Sequence, residues 1–325
     1  MKKILFLTSL VISLLFSEST IMVTEAASQD EVSNECDNPK SSVVKIVDKY
    51  QQLINNGFIY TSDELYNYIV TSSDAISISD GYDVIYPNGY FSKSQLVGID
   101  SNNQIAVIKT DKENEFSSVC LANTNYLYKG QTQYAYGYND DNSFIIKTYL
   151  NQIGTLYAKK DYVNIYKNIV QIQGYDKLKG TALFDELGRL TGMITNFDEN
   201  FNKQSFVIET DILSKVANLI IKSGNYKPNY IKYKLEDYTN LSNVVKKNYD
   251  INKSINKGVV VITFKPLNYI FGGLNQGMTI VAINGVEIKN GYQLDKQLLR
   301  YEKDDKVCLT VIKKNGKQAY YYLNV

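Results

Sequence analysis

The sequence predicts a mostly β protein in which a barrel- or sandwich-like domain is followed by a smaller α+β domain. Short runs rich in branched and aromatic residues follow one another from position 43 to position 208, with Gly, Asn, Asp or Ser between them. This alternation of short strands and turns is typical of all-β domains. An amphipathic helix over residues 211–222, with Gly224 as its C-terminal stop, closes the series and marks a domain boundary.

The strands of the first domain are predicted from β-branched and aromatic residues bounded by turn formers. The predicted strands cover residues 43–47, 56–60, 68–71, 75–78, 96–99, 105–109, 133–138, part of 144–157, 169–173, 190–195 and 205–208.

The second domain begins after a short linker over residues 225–229, which contains Pro228. Its predicted elements are a strand over 258–264, a turn over 274–277, a strand over 279–284 and a helix over 293–301. A terminal hairpin joins strands 306–313 and 317–323 around Asn315 and Gly316. Asn-Gly between two alternating runs is the strongest short-range hairpin signal.

The N-terminus predicts export. Lys2 and Lys3 precede an apolar run over residues 4–16, which is short for a membrane span but fits the core of a secretory signal. Small residues at Thr24 and Ala26 predict cleavage just after them, which makes residues 1–27 a signal peptide. The alternative is an uncleaved membrane anchor lengthened by residues 21–23. Either way, the expected location is extracytoplasmic, secreted or at the cell envelope.

Composition excludes several function classes. The formal net charge is +1, from 35 basic and 34 acidic residues mixed along the chain, so no nucleic-acid partner is expected. The chain has no histidine and no calcium-loop spacing of acids, so we expect neither a metal site nor a cofactor. Cys36, Cys120 and Cys308 lack the clustering of a disulfide scaffold, and we expect Cys120 and Cys308 to be small buried residues.

Two sets of segments resemble a known family. Residues 273–285 look like the signature of PDZ domains, with Met278 in place of the usual acid. Upstream segments resemble, in order and spacing, the protease domain of the HtrA/Deg serine proteases. The resemblance implies a trypsin-like double β-barrel over residues 42–224, a PDZ domain over 225–325 and a polar segment over 28–41. The matching segments are 42–46, 56–59, 68–71, 96–100, 105–109, 135–138, 180–184, 188–192 and 205–208.

The resemblance also locates the positions of the family's catalytic triad. Asp74 stands at the histidine position, Gln104 at the aspartate position and Lys179 at the serine position. A serine hydroxyl is a poor nucleophile until a neighbouring base takes its proton, and no imidazole is present in this chain. These substitutions predict a pseudoprotease that is not an enzyme.

Other arrangements remain open at these positions. Ser72 or Ser73 could form a dyad with Lys179 if that lysine were desolvated. An acid beside the lysine would instead keep it charged and useless as a base. Asp74 and Lys179 could therefore face each other across the two barrels as an ion pair, or could stay separate and solvated.

The resemblance implies peptide binding in the second domain. A PDZ groove adds an extended peptide to a sheet edge, and a loop before the first strand holds the terminal carboxylate. That loop corresponds here to Tyr230, Ile231, Lys232 and Tyr233. Leu294, Leu298 and Leu299 are candidates for the pocket, although core packing of an amphipathic helix is the alternative.

The function expected from these observations is that of an exported scaffold or regulator. It would bind peptides or protein C-termini through the PDZ domain, and the often trimeric family makes a homo-oligomer compatible with this reading. The alternatives are a serine-type endopeptidase with a non-standard active site, an extracytoplasmic holdase chaperone, and a structural component of the envelope.

Overall fold

Three antiparallel sheets follow one another along the chain in a computed structural model of the protein. The residues from Pro39 onward belong to one compact unit. The structure describes residues 39–76, 81–113, 115–140, 142–160, 163–172, 178–197, 204–226, 231, 233–263, 273–302 and 304–325. The predicted signal peptide and its cleavage site lie outside the described residues.

The first sheet contains seven strands in the order β5-β4-β1-β2-β3-β7-β6. The prediction missed two short strands, β4 and β5, and wrongly began a strand at Ala75. Ser73–Ala75 is a turn of 3₁₀ helix that directly follows β3. The strands are β1 (Val43–Val47), β2 (Leu53–Ser62), β3 (Tyr66–Ser72), β4 (Asp83–Ile85), β5 (Phe91–Lys93), β6 (Gln95–Asp100) and β7 (Ile105–Asp111).

The second sheet is a closed barrel in the order β10-β13-β12-β11-β8-β9. Its longest strand, β9, spans 18 residues and pairs with both β8 and β10. The strands are β8 (Thr132–Tyr138), β9 (Ser143–Lys160), β10 (Val163–Val170), β11 (Ala182–Phe184), β12 (Leu190–Phe197) and β13 (Ser205–Glu209).

Helix α1 (Thr210–Ser223) confirms the predicted closing helix. Its buried face includes Leu213, Val216 and Ile220, which join side chains of both sheets in one core cluster. Gly224 ends the helix in a left-handed conformation, φ 75°, and its N–H donates to the carbonyl of Ile220. Glycine adopts this conformation without the steric cost that a Cβ imposes, which is why the stop could be predicted from sequence.

The third sheet forms what we call the C-terminal module, the described residues from Ile231 to Val325. Its strand order is β14-β15-β16-β18-β19, with β17 paired to β16. The predicted hairpin is confirmed, whereas β14 and helix α2 were missed. The elements are β14 (Lys234–Asp237), α2 (Asn243–Asn248), β15 (Val259–Thr263), β16 (Thr279–Ile283), β17 (Val286–Glu287), α3 (Gly291–Leu298), β18 (Lys306–Ile312) and β19 (Gln318–Asn324).

The cysteines depart from the prediction. Cys120 is disulfide-bonded, whereas Cys308 is free and only partly buried. The expectation that both are simple buried residues is therefore wrong. Disulfide bonds form and persist in oxidising compartments, so the bond at Cys120 fits an exported protein.

Candidate active-site cleft and C-terminal groove

Asp74 and Gln104 of the first sheet lie where this sheet meets the closed barrel of the second sheet. We call that barrel the second barrel and this junction the cleft. Strands β3 and β7 pair with Ser72 opposite Ile105, so the residues just beyond this pair lie close together. Asp74 stands in the 3₁₀ turn after β3, and Gln104 precedes β7 with a left-handed φ of 59°. The Gln104 side-chain Nε2 donates to Asp74 Oδ1 at 2.9 Å. The neutral amide thus holds one oxygen of the carboxylate.

The second barrel contributes Lys179, in the turn before β11. Its Nζ lies 3.0 Å from Asp74 Oδ2, which is the ion pair considered from the sequence. The lysine side chain is 16% exposed and the aspartate side chain 25% exposed. At such partly solvated sites the gain from an ion pair is small, on the order of 1 kcal/mol.

The turn at Lys179 is fixed by its backbone. The carbonyl of Lys179 accepts from the N–H of Asn56 at 2.9 Å. Gly180 has φ 79°, and a Cβ there would collide with the carbonyl oxygen of Asn56. The N–H groups of Gly180 and Thr181 donate to the carbonyls of Ile194 and Leu178. These two amides therefore point into the protein and not towards a substrate in the cleft.

Lys167 on β10 is a member of the cleft that sequence analysis missed. Its side chain is 1% exposed, and its Nζ donates to Gln104 Oε1 and, at 2.7 Å, to Thr195 Oγ1. The ammonium position also lies 4.0 Å from the centre of the Tyr157 ring. A chain of contacts thus runs from Lys179 through Asp74 and Gln104 to Lys167 and Thr195.

Burial lowers the pKa of Lys167 to about 7. The main cause is desolvation, which penalises the charged amine, and the positive charge of Lys179 acts in the same direction. The negative charge of Asp74 acts against both. No signal in the sequence marked this lysine, because alternation along β10 alone does not tell which face meets the cleft.

The residues predicted to bind a peptide in the C-terminal groove differ in where the structure places them. Tyr230 and Lys232 lie outside the described residues. Ile231, Leu294 and Leu298 are between 1% and 4% exposed and belong to the core cluster of the C-terminal module, as the core-packing alternative has it. Tyr233 is half-buried against the same cluster. A role of these residues in peptide binding stays a prediction.

Strand β14 and helix α3 lie side by side at the edge of the module. Asp237, at the end of β14, accepts from the N–H of Gly291, the first residue of α3, at 2.6 Å. Within the described strands, β14 pairs only with β15, so its other edge has no strand partner there. A short strand edge beside a helix is the geometry that accepts an extended peptide.

The second barrel packs against the start of α3. The rings of Tyr166 on β10 and Tyr292 on α3 meet edge to face at 5.9 Å between centres. Lys159 on β9 forms an ion pair with Glu236 on β14. The long β9–β10 hairpin therefore contacts both elements that flank the groove.

A cluster of charges also joins α3 to the barrel. Lys296 lies 3.3 Å from Glu209 Oε1 and 3.0 Å from Asp211 Oδ2, and Tyr292 donates its hydroxyl to Glu209 Oε2 at 2.6 Å. Glu209 is 2% exposed, and burial raises its pKa although Lys296 opposes that rise. This cluster fixes the module against the second barrel.

The described part of the chain holds no group of three or more His, Cys, Asp or Glu side chains placed to bind a metal ion. Within the same residues, no helix is both long and apolar enough to cross a membrane.

Comparison with known proteins points to HtrA-type proteases. No family model matches the chain. It is 24% identical over 278 residues to a probable periplasmic serine endoprotease DegP-like of Pseudomonas savastanoi pv. phaseolicola, covering 80% of this chain and 56% of that protein. It is 21% identical over 319 residues to a serine protease HtrA-like of Staphylococcus haemolyticus, covering 92% of this chain and 50% of that protein. The chain thus spans about half the length of these curated relatives.

Solved structures show the same fold. The HtrA-type protease AlgW with decapeptide matches with a TM-score of 0.63 at 18% identity, covering 88% of this chain and 95% of the other. A serine endoprotease from Yersinia pestis matches with a TM-score of 0.54 at 19% identity, again over 88% of this chain. The predicted mostly β, trypsin-like fold is confirmed, and the chain is a homologue of HtrA and DegP-like serine proteases.

The comparisons correct one prediction and agree with another. The sequence predicts a chain that is not an enzyme, but its relatives are named as serine endoproteases or as a serine protease, and these names point to a protease. That prediction is therefore overturned. The expected extracytoplasmic location agrees with the relatives from Pseudomonas and Brucella, which are named periplasmic.

Proposed function

We propose that this HtrA-like chain acts outside the cytoplasm and binds peptides or protein C-termini through its C-terminal module, which we take to be a PDZ domain. In such a domain the ligand joins a sheet edge as an added strand. Main-chain hydrogen bonds supply affinity, and a pocket reads the last side chain. The module would recruit proteins by their exposed C-terminal segments.

The observation that carries this proposal is the edge of β14 beside α3. Its outer side has no strand partner among the described residues, and Asp237 ties the strand to the first residue of the helix. A peptide added there would lie between the strand edge and the helix. The four-residue length of β14 favours a short contact, with specificity set by the last few residues of the ligand.

The comparisons support the same class of ligand. Two matching solved structures are named as the HtrA-type protease AlgW with a decapeptide and with a tripeptide. Both cover 88% of this chain, so the match extends well beyond the two barrels. At 18% and 19% identity the likeness supports a shared fold, and peptide binding by this chain remains our proposal.

Binding can be tested with labelled decapeptides that end in a free carboxylate or in an amide. We expect the purified chain to bind a subset of free-carboxylate peptides and to lose at least about tenfold in affinity for the amides, measured by fluorescence polarisation. Lys232→Glu should weaken binding to a similar degree, because it places a negative charge in the loop assigned to the carboxylate.

The matched control is Lys317→Glu, which makes the same charge change at an exposed site after the β18–β19 turn. It should leave peptide affinity unchanged. Equal binding of free and amidated peptides would contradict carboxylate recognition. Suppression of aggregation of unrelated unfolded proteins, without selection of C-terminal sequence, would point instead to a holdase chaperone.

A second candidate is peptide hydrolysis with Lys167 as the base, favoured by its contact with the hydroxyl of Thr195 in the cleft. In this reaction the neutral amine takes the hydroxyl proton while Thr195 Oγ1 attacks the peptide carbonyl. The proton then passes to the leaving amine, and water releases the acyl group from Thr195 by the same base. Both residues are buried, so this reaction would require the first sheet and the second barrel to move apart before a substrate could reach them.

Hydrolysis can be tested with fluorogenic casein and the variants Lys167→Met and Thr195→Val. The second candidate requires cleavage by the parent chain that rises through pH 7 as Lys167 loses its proton, and that both variants abolish. Lys159→Met, on the neighbouring strand, is the control and should keep full activity. An inactive parent chain, or activity that survives Lys167→Met, rules this mechanism out and leaves the peptide-binding proposal untouched.

A further inference from the structure

Strand β19 forms the edge of the C-terminal sheet opposite to β14. It spans seven residues, Gln318–Asn324, and pairs with β18 alone among the described strands. The pairing runs from Lys306 opposite Asn324 to Ile312 opposite Gln318 without a shift in register. The outer edge of β19 is thus a straight row of backbone donors and acceptors.

This edge lacks the features that normally keep a strand edge from pairing. Proteins protect such edges with charged side chains, proline, bulges or short length. Strand β19 contains no charged residue and no proline. The opposite edge shows the contrast, because β14 is four residues long, carries Lys234, Glu236 and Asp237, and has a register shift. Of these two edges of the described sheet, the β19 edge is the long and uncharged one.

The sequence of β19 is nearly symmetric about its middle residue, Tyr321. Tyr320 and Tyr322 flank the centre, and the polar amides Gln318 and Asn324 stand at the two ends. If two such strands pair antiparallel about a twofold axis at Tyr321, Tyr320 lies opposite the partner's Tyr322. Gln318 then lies opposite Asn324 of the partner subunit. In this register tyrosine therefore lies opposite tyrosine, and an amide side chain lies opposite an amide side chain.

The exposure of these side chains fits such a pairing. Tyr320 and Tyr322 point away from the module and are 61% and 57% exposed. Tyr321 and Leu323 point inward and pack against the core of the module. Aromatic residues directly opposite each other stabilise antiparallel pairs, and a twofold interface uses the same surface from both subunits.

We propose that the outer edge of β19 is a homodimer interface, in which the β19 strands of two copies pair antiparallel about a twofold axis at Tyr321. The paired sheets become one continuous sheet that crosses the interface. A contact of one strand from each copy buries little surface, so the dimer forms and dissociates with concentration. The edge of β14 stays open in each copy, which makes this interface independent of peptide binding.

The proposal can be tested by replacing the two exposed tyrosines, Tyr320 and Tyr322, with charged residues. Sedimentation velocity of the parent chain from low to high micromolar concentration should show a species that converts to one of twice its mass. Tyr320→Lys combined with Tyr322→Lys places a lysine opposite the partner's lysine at both pairs and should abolish the dimer. Tyr320→Lys combined with Tyr322→Glu places opposite charges there and should restore it.

Restoration by the opposite-charge variant distinguishes the symmetric pairing from a general loss of surface tyrosines. A parent chain whose mass does not double over the whole range overturns the proposal, as does a same-sign variant whose mass doubles like that of the parent. Assembly that the same-sign variant weakens and the opposite-charge variant fails to restore would indicate head-to-tail pairing of β19 with β14, which also overturns the proposal.

The register has its own test in a Cys308→Ser background. Tyr321→Cys should give a disulfide-linked dimer on oxidation, because the two introduced thiols face each other at the axis. Gln318→Cys should not, because its opposite residue is the partner's Asn324. Circular dichroism shows whether each variant keeps its fold. Crosslinking through position 318 in preference to 321, in folded variants, contradicts the symmetric register.

Discussion

Two of the lysines at the junctions of this molecule, Lys167 and Lys296, have different partners. Lys167 lies where the first sheet meets the second barrel, and it contacts the neutral groups of Gln104 and Thr195. Lys296 lies where the second barrel meets the C-terminal module, and it contacts the carboxylates of Glu209 and Asp211. Their side chains are 1% and 11% exposed.

Enclosure lowers the pKa of Lys167, and the polar groups in contact with its ammonium group are neutral, whereas Lys296 has two carboxylates beside it. Desolvation penalises an ammonium group, and an adjacent carboxylate offsets that penalty whereas an amide or hydroxyl does so only in part. The pKa of Lys167 accordingly falls to about 7. The cleft junction is therefore sensitive to pH near neutrality at Lys167, although the Asp74–Lys179 ion pair also crosses it. At the module junction, Lys296 is held by ion pairs.

The largest effect should come from breaking the module junction with Lys296→Met. The substitution leaves the Glu209 carboxylate buried without its cation, which destabilises a protein by about 3–5 kcal/mol. The pKa of Glu209, already raised by burial, should rise further once Lys296 no longer opposes it. Stability is lost as pH rises through a raised pKa, so the deficit should be larger at pH 8 than at pH 5 in urea unfolding.

The exposed Lys289→Met, just before α3, is the control for Lys296→Met and should unfold like the parent chain. A deficit that does not depend on pH would show that Glu209 is not the group left uncompensated.

The next effect concerns the turn that presents Lys179 to the cleft. Gly180→Ala should lower the free energy of unfolding by about 3 kcal/mol, because a left-handed φ and a collision with the Asn56 carbonyl act together. Gly81→Ala is the matched control, since a Cβ there meets nothing within 4 Å. Thermal and urea unfolding of both variants measure the difference. If both substitutions lowered the free energy of unfolding by the same small amount, the close contact between Gly180 and the Asn56 carbonyl would be contradicted.

A smaller effect concerns how the free energy of unfolding depends on pH through Lys167. Between pH 7 and 9 the unfolded chain keeps a proton on this lysine, whereas folded Lys167 loses it. The free energy of unfolding should therefore rise with pH, by about 2 kcal/mol over this interval relative to Lys167→Met. Parallel pH profiles of parent and variant would show that Lys167 stays charged in the folded protein.

The smallest effect should follow from Asp74→Asn. The variant loses an ion pair with two partly solvated members, which should cost about 1 kcal/mol. It also removes the charge that favours protonated Lys167, so the pKa of that lysine should fall further and the pH-dependent rise should begin at lower pH. Asp83→Asn in β4 is the control. An unchanged onset of the rise would show that Asp74 and Lys167 do not interact.

The parts of the fold that sequence predicted are those set by local chemistry. Helix α1 and its stop at Gly224 follow from an amphipathic period and a residue free to take positive φ. The β18–β19 hairpin follows from Asn315 and Gly316 between alternating strands. The short strands β4, β5 and β14 were missed because three or four residues carry too little pattern.

The candidate site was predicted only in part. The family resemblance assigned Asp74, Gln104 and Lys179 to one site. The structure adds that the Asp74 carboxylate contacts both the Gln104 amide and the Lys179 ammonium group. Lys167 was missed because lysines are mostly exposed and nothing local marks an enclosed one. The burial of Ile231, Leu294 and Leu298 likewise depends on which face of each element meets the core.

By itself the sequence determined the succession of strands, the closing helix, the terminal hairpin and the absence of any imidazole, because each depends on residues next to one another or on composition. Only the tertiary structure decided the network around Lys167, the ion cluster at Lys296 and the position of β14 and β19 at the edges of the C-terminal sheet, as far as the described strands go. Those features depend on contacts between residues far apart in the chain, and the burial that shifts a pKa arises only when the sheets pack together.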